Sequence, residues 1–239
     1  MPDPTSEQDY LAAYDIHQFD VPLTTVDLCI FTLLEDTLQV LVVKRADFPF
    51  KDRWALPGGF IDVRRDADLE GTARRILAAK TGVSSPYLEQ METIGNAHRD
   101  PRGWALTVVY FALVPVSRVK VQTTRVAEAK WAPVEAVEKW DLAFDHADLL
   151  TRAVTRLRSK VGYSTLPVHI MPETFTLGEL QRAYEIIMGR KVDKKAFRRR
   201  IEASGLLEET GEKRQDKTRP AKVYRVKAGM QTFFYTRTI

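Results

Sequence analysis

Trp54-Ala55-Leu56-Pro57-Gly58-Gly59-Phe60, followed by Leu69 to Thr81 and then Gly82-Val83, is the stretch on which the fold turns. An apolar lead-in ends in Pro-Gly-Gly, where two residues without side chains let the backbone approach a neighbour closely. Leu69 to Thr81 reads as a helix, with Gly82 as the residue just past its end. Ile76, Ala79 and Lys80 lie at i, i+3 and i+4, so they share one helical face. That face offers an aliphatic, a methyl and an ammonium. Acids stand upstream instead: Asp62, Asp66, Asp68 and Glu70 precede or open the helix. They read as a solvated rim, as a helix N-terminal charge cluster, or as a displaced metal site.

The spacing resembles the signature of the Nudix superfamily, whose box reads G-x5-E-x7-R-E-U-x-E-E-x-G-U, with U aliphatic. Aligned on Gly82, the box arginine falls on Arg75, and the three glutamate positions after it become Ile76, Ala79 and Lys80. Two extra residues separate Gly59 from Arg75, and the remaining glutamate position falls on Ala67. In active members the resemblance implies a magnesium ion held by carboxylates on this face and bridging to substrate phosphates. Here it implies the scaffold without the chemistry: no catalytic residue, no metal and no cofactor. A lysine at position 80 brings one positive charge where magnesium brings two, which suits holding a diphosphate without cleaving it.

The wider chain supports two modules. Its 239 residues, 44% of them hydrophobic, suffice for one medium domain and one small one. Cys29 lies in the apolar run Leu28-Cys29-Ile30-Phe31 and reads as a buried strand thiol, so no disulfide framework is expected. No apolar run is long enough to cross a bilayer, and a cytoplasmic protein is expected. Charge is unevenly placed. Up to Ser159 there are 19 lysines and arginines against 23 acids; beyond it there are 17 against 9. A basic C-terminal third on an acidic body points to a polyanion partner for that third.

Residues 1–20 read as a tail with one possible short helix. Val26–Leu34 and Leu38–Val43 read as a hairpin, Met91–Ala97 and Leu106–Val114 as further strands, and Lys130–Ala132 as a short last one. Asp145 then caps a helix whose apolar stripe includes Leu149, Leu150, Val154 and Leu157. His146 reads as part of that helix's first turn. This order is similar to the Nudix α/β/α sandwich with a mixed sheet, placed at 21–160. Residues 161–172 read as an extended connector. From 173 to 239 an α+β module follows: Thr176 and Glu179 form a capping box, flanked by Phe175 and Leu180 at staple positions. Asp193 caps a second helix beginning at Lys194. Two strands around a basic tip complete what looks like a winged helix-turn-helix.

The second helix of such a module enters the major groove of double-stranded DNA. Lys194, Lys195, Arg198 and Arg199 are placed for bases or phosphates there, and Lys213, Arg214, Lys217 and Arg219 on the wing suit phosphates or a narrow minor groove. Two such modules about one helical turn apart would read a palindromic operator, which calls for a dimer.

A degenerate Nudix box joined to a winged helix is similar to the Nudix-related transcriptional regulators of NAD metabolism. The loop His98-Arg99-Asp100-Pro101-Arg102-Gly103, the Leu177-Gly178-Glu179-Leu180 helix start and the Arg219-Pro220-Ala221-Lys222-Val223-Tyr224 return strand carry the resemblance. It implies a homodimeric repressor of NAD biosynthesis or salvage genes, released from DNA by ADP-ribose as effector. A diphosphate needs converging cations, and Arg53, Lys80, Arg99 and Arg102 are the candidates. Pro101 pre-sets a turn that would hold Arg99 and Arg102 firmly. Phe60 or Trp54 could stack on adenine, Gly58 and Gly59 allow close approach, and His98 could bond a ribose or phosphate. Two alternatives stay open: an active hydrolase of ADP-ribose carrying a nucleic-acid module, and a regulator sensing another phosphorylated metabolite.

Overall fold

The structure, a computed structural model, describes residues 6–83, 87–116, 126–215, 219–230 and 232–236. Its centre is a long strand, β1 (Leu23–Leu34), followed by β2 (Thr37–Lys44) across a two-residue turn. Glu35 and Asp36 both take positive φ there, at 51° and 58°, which gives the turn the twist a hairpin needs. Two short strands, β3 (Trp54–Ala55) and β4 (Gly58–Phe60), interrupt the lead-in and pair with β2 and β1 respectively. They are too short for any alternation to announce them. After α2 (Leu69–Thr81) come β5 (Tyr87–Asn96), β6 (Ala105–Leu113) and β7 (Glu128–Pro133). β6 runs parallel to β1 from Leu23↔Ala105 to Phe31↔Leu113, while the other pairings are antiparallel. The mixed sheet is therefore as expected.

Period-two alternation on β1 and β6 divides the core. Val26, Leu28 and Ile30, with Val108 and Tyr110, pack on Ala73, Ile76 and Leu77 of α2. Cys29 and Phe31, with Val109 and Phe111, face Leu149, Leu150, Val154 and Leu157. Those four belong to α4 (His146–Gly162), which follows the single turn α3 (Val134–Val137). The helix–sheet–helix layering thus places α2 and α4 on opposite faces, with their ends bordering a common opening.

α4 continues to Gly162, and the segment after it is not an extended connector. Leu166–Ile170 coils into a short 3-10 helix whose Leu166, Val168 and Ile170 are buried. Five closely spaced apolar residues from Leu166 to Met171, counting Pro167, can leave water only by folding in. The core consequently runs on into the second module. It includes Leu180, Tyr184 and Ile187 of α5 (Leu177–Met188), Phe197 and Ile201 of α6 (Lys194–Ala203), and Leu206. β8 (Phe175–Thr176), β9 (Leu207–Arg214) and β10 (Ala221–Val226) form a separate sheet in the order β8-β10-β9. The expected capping box is in place: Thr176 Oγ1 accepts from the Glu179 N–H, and the Glu179 carboxylate accepts from the Thr176 N–H. At the other end of the chain, α1 (Glu7–Ala13) buries no residue. Among the described residues, no helix is long and apolar enough to cross a membrane.

Candidate functional site

The opening beside β1 and the N-terminus of α4 is a cavity of about 830 Å³. Its walls come from β1, the β3–β4 segment, the loop after it, α2 and the β5–β6 loop. Gly58 is required at the wall: a Cβ there would lie 1.9 Å from Asp27 Oδ1. Ile76, Ala79 and Lys80 do share the face of α2 that borders the cavity, and Lys80 is largely buried there.

Three of the four upstream acids are committed elsewhere, and Asp62 alone of them lines the cavity. Asp66 accepts from Arg75 at 2.7 and 2.6 Å, from the Thr72 hydroxyl and from the Asp62 N–H. The Arg75 guanidinium beside it holds the Asp66 carboxyl well below the usual carboxylate range. Asp68 caps α2 by accepting from the Gly71 N–H, and Glu70 pairs with Arg74 one turn along. Asp62 accepts from the Arg64 N–H. The box arginine therefore braces the acidic loop, also donating to the Phe60 carbonyl at 3.1 Å.

The β5–β6 loop is built as its sequence predicts. Asn96 accepts from the His98 and Arg99 N–H groups, and the Gly103 N–H closes the turn onto the Asp100 carbonyl. Five of the seven expected effector residues, Gly59, Phe60, Lys80, Arg99 and Arg102, line the cavity; Arg53 and His98 do not. Arg53 lies outside, paired with Asp141 at 2.7 Å, because the loop between β2 and β3 turns it toward the segment before α4. His98 is exposed at the loop tip. Arg99 is no free cation either. Its side chain is 4% exposed, doubly bonded to Asp145 at 3.0 and 2.9 Å and 3.4 Å from Asp27. Arg102 pairs with Asp100 at 2.7 Å and lies over the half-exposed ring of Phe60, 5.3 Å from its centroid. Trp54 packs against Trp140 and under Lys130 rather than in the cavity.

Three lining residues escaped the sequence reading as ligand candidates. Asp27 is the one charged residue of β1 and is buried, a signal in itself. His146 is buried, and its Nδ1 accepts from the Leu56 N–H at 2.9 Å, leaving the proton on Nε2 toward Asp27, 3.8 Å away. Burial pushes its pKa down. Arg45, at the end of β2, donates to the Pro49 carbonyl at 2.7 Å and lies over Phe144 at 4.8 Å. No carboxylate lies within ion-pair distance of it among the described residues. Partial burial, and next the charge of Arg102, lower its pKa. A cation so placed is stabilised by an arriving anion.

The second site lies on α6. Asp193 caps it, accepting from the Ala196 N–H, and Phe197 and Ile201 bury its inner face. Lys194, Lys195, Arg198 and Arg199 are all exposed on the other side. On the wing, Lys213 and Arg219 are exposed too, and Lys217 lies outside the described residues. Arg214 differs from expectation. Its guanidinium bonds Glu179 at 2.9 Å and reaches Thr174, so it ties the wing to the first turn of α5. The same capping glutamate serves both, which only the fold of the hairpin over α5 creates.

Comparison with known proteins follows the same division. Residues 23–153 match the NUDIX domain model, and residues 167–226 match that of the NrtR DNA-binding winged helix domain. An ADPR-responsive transcriptional repressor of Acinetobacter baylyi, NtrR, is 48% identical over 221 residues, covering 92% of this chain and 88% of the relative. The chain belongs to the NrtR family. Shewanella oneidensis NrtR, solved in complex with a 27mer DNA, superposes with a TM-score of 0.84 at 43% identity, over 91% of this chain and 99% of that one. The NUDIX domain of the same Shewanella protein, solved with ADP ribose, gives a TM-score of 0.60 at 46% identity, over 64% and 99%. This NrtR-family chain therefore carries its cavity and its basic helix on the two modules that the family joins.

Proposed function

We propose that this chain is a transcriptional repressor that grips operator DNA through α6 and the wing, and lets go when its Nudix domain takes up ADP-ribose. The observation that carries the reading is the face of α2. Where hydrolysis needs hard carboxylate oxygens against the phosphates, the cavity meets Ile76, Ala79 and Lys80. Such a donor set does not fit a magnesium ion. Asp66, Asp68 and Glu70 do not substitute, being spent on Arg75, the α2 cap and Arg74. Among the described residues, no group of three or more His, Cys, Asp or Glu could hold a metal. The domain thus senses its ligand without cleaving it.

Arg45, Arg102 and Lys80, joined by Arg99 once the ligand has arrived, are the cations we assign to the diphosphate, with Phe60 as the exposed ring for a base. Lys194, Lys195, Arg198 and Arg199 are assigned to the major groove, and Lys213 and Arg219 to phosphates. Reading a palindrome requires two copies, so the working form is a homodimer. The named relatives support both ligands: one is described as ADPR-responsive, another was solved with DNA.

Fluorescence anisotropy on a palindromic operator upstream of NAD genes, with and without ADP-ribose, tests the reading. Release at micromolar ligand, with no AMP formed when magnesium is added, is the expected result. Magnesium-dependent turnover would make the chain a hydrolase. Tight DNA binding indifferent to ADP-ribose would keep the DNA function and discard the ligand for another phosphorylated metabolite.

A further inference from the structure

An ion pair joins the floor of the cavity to the start of α4, the helix whose far end packs against the DNA-binding module. Asp145 occupies the position before α4, where an acid ordinarily accepts from the helix's own first turn. Its side chain caps nothing. Both oxygens accept instead from Arg99, at 3.0 and 2.9 Å. The next residue, His146, accepts from the Leu56 N–H. The start of α4 therefore touches two cavity walls, the β5–β6 loop and the lead-in to β4. From there α4 runs 17 residues, about 25 Å at the helical rise. At its far end Arg158 donates to the Ile187 carbonyl at 3.2 Å, and just beyond it the Ser164 carbonyl accepts from the Tyr184 hydroxyl at 2.7 Å. Leu157 and Val161 share a core with Leu180 and Tyr184 of α5.

We propose that the Arg99–Asp145 pair is the coupling contact of the ligand response: a diphosphate in the cavity draws Arg99 off Asp145, and α4, released at its N-terminal end, passes the change to α5. The inference rests on the ADP-ribose reading above. Asp145 is then a positioning residue rather than a ligand-binding one. The exchange is physically balanced. A diphosphate offers Arg99 at least as much negative charge as the carboxylate it replaces, and Asp145, 22% exposed, regains water when the pair opens. Asp27, 8% exposed, stays beside Arg99 in both arrangements and keeps the guanidinium at the cavity floor. Ligand and operator oppose one another because each favours a different state of one contact, and linkage makes the effect reciprocal.

The test measures operator affinity of the full chain with and without ADP-ribose, and ADP-ribose affinity by calorimetry. In the unaltered chain ADP-ribose should weaken operator binding by about ten- to a hundredfold. Asp145→Asn, which cannot hold Arg99 as an ion pair, should bind operator weakly from the start. ADP-ribose should then weaken it further by no more than about threefold, with ligand affinity unchanged or higher. Asp145→Glu, keeping the charge, should restore most of the response. Arg158→Ala, at the far end, should lower the response while leaving ADP-ribose affinity alone. A merely structural Asp145 would lower operator affinity yet leave the ligand response at full size, and that result overturns the proposal. So does loss of response in Asp145→Asn through loss of ADP-ribose binding. If Asp145→Asn does not fold, a full response in Arg158→Ala overturns it equally. An unaltered chain that ignores ADP-ribose would instead sink the functional reading itself.

Discussion

Around the cavity, Arg75, Arg99 and Arg102 each lie against a carboxylate of their own chain. On α6, Lys194, Lys195, Arg198 and Arg199 stand exposed, with no such partner among the described residues. The same residue types are thus held in two electrostatic states. An unpaired surface cation keeps only mobile counterions, which a DNA phosphate displaces at little cost and with a gain in entropy. A paired cation must exchange one anion for another, so binding there necessarily disturbs whatever the first anion was holding. On the function proposed above, the α6 face serves affinity and the cavity serves response. Arg45 stands between the two cases: it belongs to the cavity, yet carbonyls and a ring hold it rather than a carboxylate.

Salt separates the two regions most widely. Raising it from 50 to 200 mM should lower operator affinity by about a thousandfold if some six phosphates are contacted. ADP-ribose affinity, read by calorimetry, should fall by less than about tenfold over the same range. Equal slopes would break the comparison outright. Replacing Arg198 and Arg199 together by alanine should cost operator binding about a hundredfold in anisotropy, with ADP-ribose affinity intact. Retained DNA binding would move the recognition surface off α6. Arg45→Ala should weaken ADP-ribose by about tenfold, the worth of one charge-assisted contact, and leave ligand-free operator affinity as it was. No loss in calorimetry would leave Arg99, Arg102 and Lys80 as the whole anion grip. The smallest effect is expected at Arg53, whose pair with Asp141 lies at the surface. Arg53→Ala should change ADP-ribose affinity by less than about twofold, and a larger loss would redraw the cavity to include it.

Much of this architecture is legible in the sequence. The capping box at Thr176, the Asp193 cap and the end of α2 at Gly82 are written in neighbouring residues, and all three are found where their local chemistry puts them. So is the Asp100–Gly103 turn. The connector misled because its apolar residues follow neither period: Leu166, Val168, Ile170 and Met171 fill a seam between modules rather than one face of an element. The site was legible only as a set of residue types. Arg99 and Arg53 look alike in sequence, and neither shows which carboxylate will meet it.

What the residues determined by themselves was local: the order of the modules, the caps that bound their helices, and a helix face carrying Ile76, Ala79 and Lys80 in place of acids. These depend on groups within a turn or two of one another, where bond geometry alone sets who meets whom. Only the tertiary structure decided which cations were already spoken for. Arg99 finds Asp145 46 residues away and Asp27 72 residues away, because parallel pairing of β1 with β6 and the packing of α4 bring three distant segments to one cavity floor. Coulomb attraction falls with distance in space and is blind to distance in sequence.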